Sequence, residues 1–103
     1  MSVSPIFSAL GDPVRAVIVE RLVQSGPSSV SRLSQGLPIT RQAVAKHLRV
    51  LTDAGVVTSS KSGREQVVSL EAAKLSEASA WLNQLASEWD VRLGRLKALL
   101  ESD

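Results

Sequence analysis

Apolar positions along much of this chain fall three and four residues apart, the repeat of a helix buried on one side. Val14, Val17, Ile18 and Leu22 keep that spacing, while Arg15, Glu20, Arg21 and Gln24 fall mostly elsewhere. Gly11-Asp12-Pro13 starts this helix, because Asp can cap an N-terminus and Pro is preformed for a first turn, and Gly26-Pro27 ends it. Upstream, residues 4–10 are predicted as a short helix with Ile6, Phe7 and Leu10 on its apolar side. Downstream, Ser28 or Ser29 can cap another short helix that turns Val30 and Leu33 inward and runs as far as Gln35. Gly36-Leu37-Pro38-Ile39 breaks it. Thr40 supplies a further N-cap, and over residues 41–54 Val44, Leu48 and Leu51 make a single apolar stripe that Gly55 terminates.

The pattern then changes. Val56-Val57-Thr58-Ser59-Ser60 and Gln66-Val67-Val68-Ser69-Leu70 are rich in β-branched residues. Lys61-Ser62-Gly63-Arg64 joins them, so residues 56–70 are predicted as a β-hairpin with two basic residues at its tip. Residues 71–101 contain no proline and one glycine, Gly94. They read as one helix of roughly 30 residues, about 45 Å long. Leu75, Ala78, Leu82, Leu85, Trp89, Leu93, Leu96 and Leu100 step along it by threes and fours. A domain of this size cannot cover so long a stripe, which is therefore expected to be exposed in part in a single chain and buried against a second copy. Trp81 and Trp89, two turns apart, are read as core-packing residues rather than as platforms for a stacked ligand.

Two helices joined by a four-residue turn, the second longer than the first, outline a helix-turn-helix, and a hairpin directly after the second helix is the wing of a winged helix. The expected fold is mainly α with a small β-hairpin, in the order α-α-α-α-β-β-α, ending in a long C-terminal helix. At 103 residues the chain is expected to form one domain over residues 1–103.

Composition excludes more than it specifies. Hydrophobic residues are 44% and charged residues 21%, which argues against disorder and low-complexity classes. The chain has no cysteine, no tyrosine and one histidine, His47. Thiolate chemistry is closed, and a lone imidazole cannot supply the ligand sets most transition metals use. Neither a basic leader followed by an apolar run nor a membrane span is apparent, so a cytoplasmic protein without membrane contact is expected. The net charge of +2 is unevenly placed. Residues 40–66 hold Arg41, Lys46, Arg49, Lys61 and Arg64 against Asp53 and Glu65, net +3, and residues 67–103 are net −2. On a helical wheel Gln42, Lys46, Arg49 and Asp53 fall opposite the Val44/Leu48/Leu51 stripe, flanked by Arg41 and Ala45. An outward face of long donors at a helix N-terminus is what the DNA major groove admits.

Four stretches, in order and at these spacings, resemble the ArsR/SmtB family of bacterial winged-helix repressors: Leu10-Gly11-Asp12-Pro13-Val14-Arg15, Val30-Ser31-Arg32-Leu33, the run from Thr40 to Leu51, and Ala54-Gly55-Val56-Val57. The wing segment Gly63-Arg64-Glu65-Gln66 is similar as well. The resemblance implies a homodimer on double-stranded DNA, joined through its first and last helices (about residues 4–10 and 71–101). Ile6, Phe7, Leu82, Leu85, Trp89, Leu93 and Leu96 would lie at that interface. The recognition helices would enter successive major grooves of a palindromic operator, with half-sites about 34–36 Å apart.

By matching positions, Thr40, Arg41, Gln42, Ala45, Lys46, His47 and Arg49 fall on the recognition helix, and Lys61 and Arg64 on the wing. Arg41 and Gln42 are expected to read bases, Lys46, Arg49, Lys61 and Arg64 to neutralise phosphates. His47 stands where the family often has histidine and is read chiefly as a structural or backbone-positioning residue, with a DNA contact as the other reading. The family often has serine at the position of Ala45 and glutamine at that of Arg41, so the operator is not transferable. Metal-responsive members place cysteines in the short helix, which here reads Val30-Ser31-Arg32-Leu33-Ser34-Gln35, or histidine and carboxylate ligands in the last helix, which here lacks histidine. Glu77, Glu88 and Asp90 are read as solvated charges, no metal or cofactor is expected, and the metal-independent branch is the nearer likeness. The competing reading is a protein-interaction module on the same scaffold without DNA binding. No nucleophile and base, nor any carboxylate pair, has a setting that suggests an enzyme.

Overall fold

Side-chain caps set the helix starts that position the site. In the computed structural model, which describes residues 3–101, α1 (Ser4–Leu10) leads directly into the Asp12 cap. The Asp12 carboxylate accepts the Val14 and Arg15 N–H groups at 2.9 and 3.0 Å and opens α2 (Pro13–Ser25). Ser29 Oγ accepts the Arg32 N–H at 3.1 Å and opens α3 (Val30–Ser34). Thr40 Oγ1 accepts the Ala43 N–H at 3.1 Å and opens α4 (Arg41–Asp53). Each cap satisfies a donor that the first helical turn leaves unpaired. Ala54, expected as the last helical residue, is the C-cap of α4, and Gly55 follows at φ +77°, a conformation that strains any residue with a side chain.

The hairpin is tighter than expected. β2 (Val57–Ser62) and β3 (Glu65–Leu70) pair antiparallel, with Val57 opposite Leu70 and Ser62 opposite Glu65, so the connection is Gly63-Arg64 alone. Gly63 at φ +63° in the first of two turn positions is the type II′ pattern, which glycine permits without strain. Lys61, expected at the tip, consequently lies within β2, opposite Gln66.

A further strand was not expected. β1 (Ser28–Ser29) pairs antiparallel with β3, Ser28 opposite Val68 and Ser29 opposite Val67, giving the sheet order β1-β3-β2. Among the described residues the order is therefore α1-α2-β1-α3-α4-β2-β3-α5 rather than α-α-α-α-β-β-α. Two serines carry no alternating pattern to announce a strand. Their extended backbone answers two demands at once: it pairs with β3, and it is the conformation an N-cap requires, Ser29 having φ −69° and ψ 155°.

The core lies where α1 to α4 meet the sheet. Ile18, Leu22, Leu33, Val44, Leu51, Val56, Val57 and Val68 are essentially fully buried there, an aliphatic core as the composition requires. Val56 also joins elements through its backbone, donating to Leu51 O and accepting from Glu71 N–H at 2.8 Å. Ile6 belongs to this core, only 2% exposed, which corrects its expected place at a surface between copies. The turn of α1 that lays Ile6 and Ala9 on the body leaves Phe7 half-buried beside α5 (Ala72–Glu101).

That last helix leaves the body behind. Ala78 is its one buried residue, and residues 79–101 are all exposed. The long axis of the molecule is 71 Å against 27 and 22 Å. The radius of gyration of 18.6 Å compares with about 13 Å for a compact chain of this length. Neither tryptophan sits in the core: Trp81 meets the Phe7 ring at 5.4 Å with a 50° tilt, and Trp89 is 60% exposed. Among the described residues no helix is long and apolar enough to cross a membrane.

Candidate nucleic-acid interface

Val44, Leu48 and Leu51 fasten one side of α4 to the core, and helical geometry then dictates what the other side presents. Arg41, Gln42, Ala45, Lys46 and Arg49 are exposed on it, with the capping Thr40 exposed at its start. The wing lies alongside. Ala45 and Arg49 share a cleft of about 300 Å³ with Ser59 and Gln66 of the sheet, where Gln66 Nε2 donates to Ser59 Oγ at 3.0 Å. Arg41 and Arg64 share a second cleft, of about 270 Å³, with Ser31 of α3. Lys61 is exposed on β2. The fold thus brings Arg41 beside Arg64 and Arg49 beside the sheet, although these residues are separated in sequence.

Two of the expected site residues have specific local partners. The Arg41 guanidinium donates through Nη2 to Ser31 Oγ, so it leans towards α3. His47 is half-buried, with Nδ1 3.2 Å from Arg15 Nη1 and 3.7 Å from Asp12 Oδ2. Arg15 also donates through Nε to Ala9 O at 2.5 Å and through Nη2 to Ser8 O at 3.3 Å, tying the end of α1 to the recognition helix. The Arg15 backbone N–H holds the Asp12 carboxyl below its ordinary pKa, aided by the Val14 N–H and by the charges of His47 and Arg15, and partly opposed by desolvation. His47 thus faces the Asp12 and Arg15 side chains of the neighbouring helix start.

Sequence reasoning passed over Ser31, Gln66 and the joining role of Arg15. Arg15 was visible as part of the Asp12-Pro13-Val14-Arg15 run, but its partners lie on other helices and leave no local signal.

Long donors on an exposed helix face, capped at its N-terminus and flanked by a basic β-hairpin, define a winged helix-turn-helix of the kind that regulates transcription by binding DNA. Comparison with known proteins narrows the class. A family described as a helix-turn-helix domain matches residues 10–60. The HTH-type transcriptional regulator Rv2034 of Mycobacterium tuberculosis is 34% identical over 97 residues, covering 94% of this chain and 87% of that protein. The uncharacterized HTH-type transcriptional regulator YuzN of Bacillus subtilis is 44% identical over 69 residues, 61% of this chain and 75% of that one. The solved ArsR-like transcriptional regulator from Rhodococcus sp. RHA1 superposes with a TM-score of 0.81 at 38% identity, covering 98% of this chain and 94% of that one. The chain belongs to the ArsR family of winged helix-turn-helix transcriptional regulators.

Proposed function

We propose that this regulator acts in the cytoplasm as a homodimer of single-domain chains that represses transcription by occluding a promoter. Its two α4 helices enter successive major grooves of a palindromic operator, with half-sites about 34–36 Å apart. One observation carries the dimer: Leu82, Leu85, Trp89, Leu93 and Leu96 form an exposed apolar run on a helix that stands away from its own body. Such a run is buried by a second copy with Phe7 at the edge of the same surface. Within each half-site Gln42 reads a base, and Lys46, Arg49, Lys61 and Arg64 neutralise phosphates, with Thr40, Ala45 and the positioned His47 fixing how closely α4 approaches. With no cysteine in the chain and no histidine on α5, the dimer is not controlled by a thiolate or imidazole metal site.

Selection of bound fragments from genomic DNA with the purified protein tests this reading. The expected result is one enriched motif with two-fold symmetry and half-site centres one DNA turn apart, bound by a dimer in light scattering. An enriched motif without symmetry, or a monomer at micromolar concentration, would refute the dimer. The absence of any enriched sequence would refute the operator.

A further inference from the structure

Arg41 occupies a cleft that none of the other recognition-helix residues line. Its walls are Ser29 and Ser31 on one side, Arg41 at the start of α4, and Arg64, Glu65 and Gln66 of the wing turn on the other, enclosing about 270 Å³. We propose that this cleft binds one phosphodiester of the DNA backbone, with Arg41 as its clamp rather than as a base reader. The proposal rests on the DNA-binding reading and assigns a place within it.

Geometry comes first. Arg41 Nη2 donates to Ser31 Oγ, which fixes the guanidinium against α3 and away from the outward positions of Gln42 and Lys46. A guanidinium has five donors, so most remain free for a phosphate. Ser31, having accepted from Arg41, keeps its own hydroxyl proton to donate to the same phosphate oxygens.

Charge decides the ligand class. Arg41 and Arg64 stand against Glu65, leaving the cleft one positive charge, which balances the single negative charge of a phosphodiester. A base edge carries no charge and would leave that one positive charge uncompensated. Location agrees as well: the cleft spans from the helix-turn-helix to the wing, where a DNA strand must pass if α4 lies in the major groove and the wing lies beside it. Glu65 then acts as a brake, holding down affinity for DNA in general.

The full-length protein is titrated by fluorescence anisotropy against a duplex it has itself selected from random sequence, a set of single-base-pair variants of that duplex, and an unrelated duplex, over about 50 to about 200 mM salt. Arg41→Ala is expected to weaken the selected and unrelated duplexes by a similar factor of about ten. It should lower the slope of log K against log salt by about 0.9 for each protomer bound, while the ranking of the base-pair variants is unchanged. Arg41→Lys, which keeps the charge, should keep the slope. Glu65→Gln should tighten both duplexes. Replacing the contacted phosphate, located by scanning one half-site, with a neutral methylphosphonate in both half-sites should cost the wild type as much as Arg41→Ala does and cost the variant nothing more. All these side chains are exposed, and circular dichroism checks that the fold is kept. Loss of discrimination at one base pair with an unchanged slope would put Arg41 on a base edge and overturn the proposal. Unchanged binding by Arg41→Ala would overturn it too, placing the side chain outside the interface. A wild-type protein that selects no duplex at all would instead overturn the DNA-binding reading beneath it.

Discussion

Leu93→Glu should separate the proposed dimer without harming the folded body. Leu93 is 48% exposed, within the apolar run of α5. Full burial of a leucine side chain is worth about 1.5–3 kcal/mol, so covering the exposed half is worth about 1 kcal/mol per copy and about 2 kcal/mol in a symmetric pair. That alone raises the dimer dissociation constant about thirtyfold. Burying a carboxylate in each copy adds several kcal/mol more, so the variant is expected to be monomeric at micromolar concentration. Sedimentation velocity over a dilution series reads this directly.

Two further readouts follow from the same geometry. Residues 79–101 are exposed throughout in the single chain, and a helix in a protein draws most of its stability from packing of its apolar face, so the variant should lose far-UV helical signal while keeping its cooperative unfolding transition. Operator affinity should fall by about two orders of magnitude or more, because the second half-site is no longer bound by a tethered partner. A Leu93→Glu protein that sediments as wild type across the whole series would refute the assignment of this face.

Ile6→Ala tests the burial of Ile6 in the body: as a core residue, its truncation should cost the folded chain about 2–5 kcal/mol in denaturant unfolding, without the selective loss of self-association expected of Leu93→Glu. On DNA, Lys46→Ala should weaken all sequences about equally and make the salt dependence shallower, whereas Gln42→Ala should relax discrimination at one position in each half-site. Anisotropy on the single-base-pair variants separates the two, and wild-type behaviour by both would show the α4 face to be wrongly assigned. The Asp12 carboxyl titrates below its ordinary value of 3.8 in the folded chain, so its contribution to stability is fully present above that pH and is lost as the pH falls through the lower folded value. Thermal unfolding of Asp12→Ala should therefore lie below wild type at neutral pH, with the gap closing in strong acid, and a gap that did not depend on pH would exclude the charge as its source.

The elements legible in the sequence are those whose cause is local. Thr40 and Asp12 announce helix starts because a cap acts on residues two and three positions ahead, and the Val44/Leu48/Leu51 stripe announces a face because its period belongs to the helix itself. What escaped is decided at a distance. β1 exists because β3 offers it a partner some forty positions on, and nothing in Ser28-Ser29 records that. Ile6 and Phe7 are neighbours of equal apolarity, and only the placement of α2 and α4 decides that one is buried while the other faces α5. The recognition face was readable as a face, but the direction of a side chain upon it was not: Arg41 is turned by a serine on another helix.

The cluster around Arg15 makes α1 a joint between the two proposed surfaces. The last turn of α1 is bonded through Ser8 O and Ala9 O to Arg15, whose guanidinium reaches His47 on α4, while Phe7 on the same short helix meets Trp81 on α5. In the proposed dimer seated on α5, the distance between recognition helices would then be set through side-chain contacts and charged hydrogen bonds rather than through a loop. A His47 drawn outward to a base would have to leave the Arg15 guanidinium and the Asp12 carboxylate behind, loosening α4 from α1. On the proposed reading, His47 serves half-site spacing by holding α4 in place rather than by touching DNA.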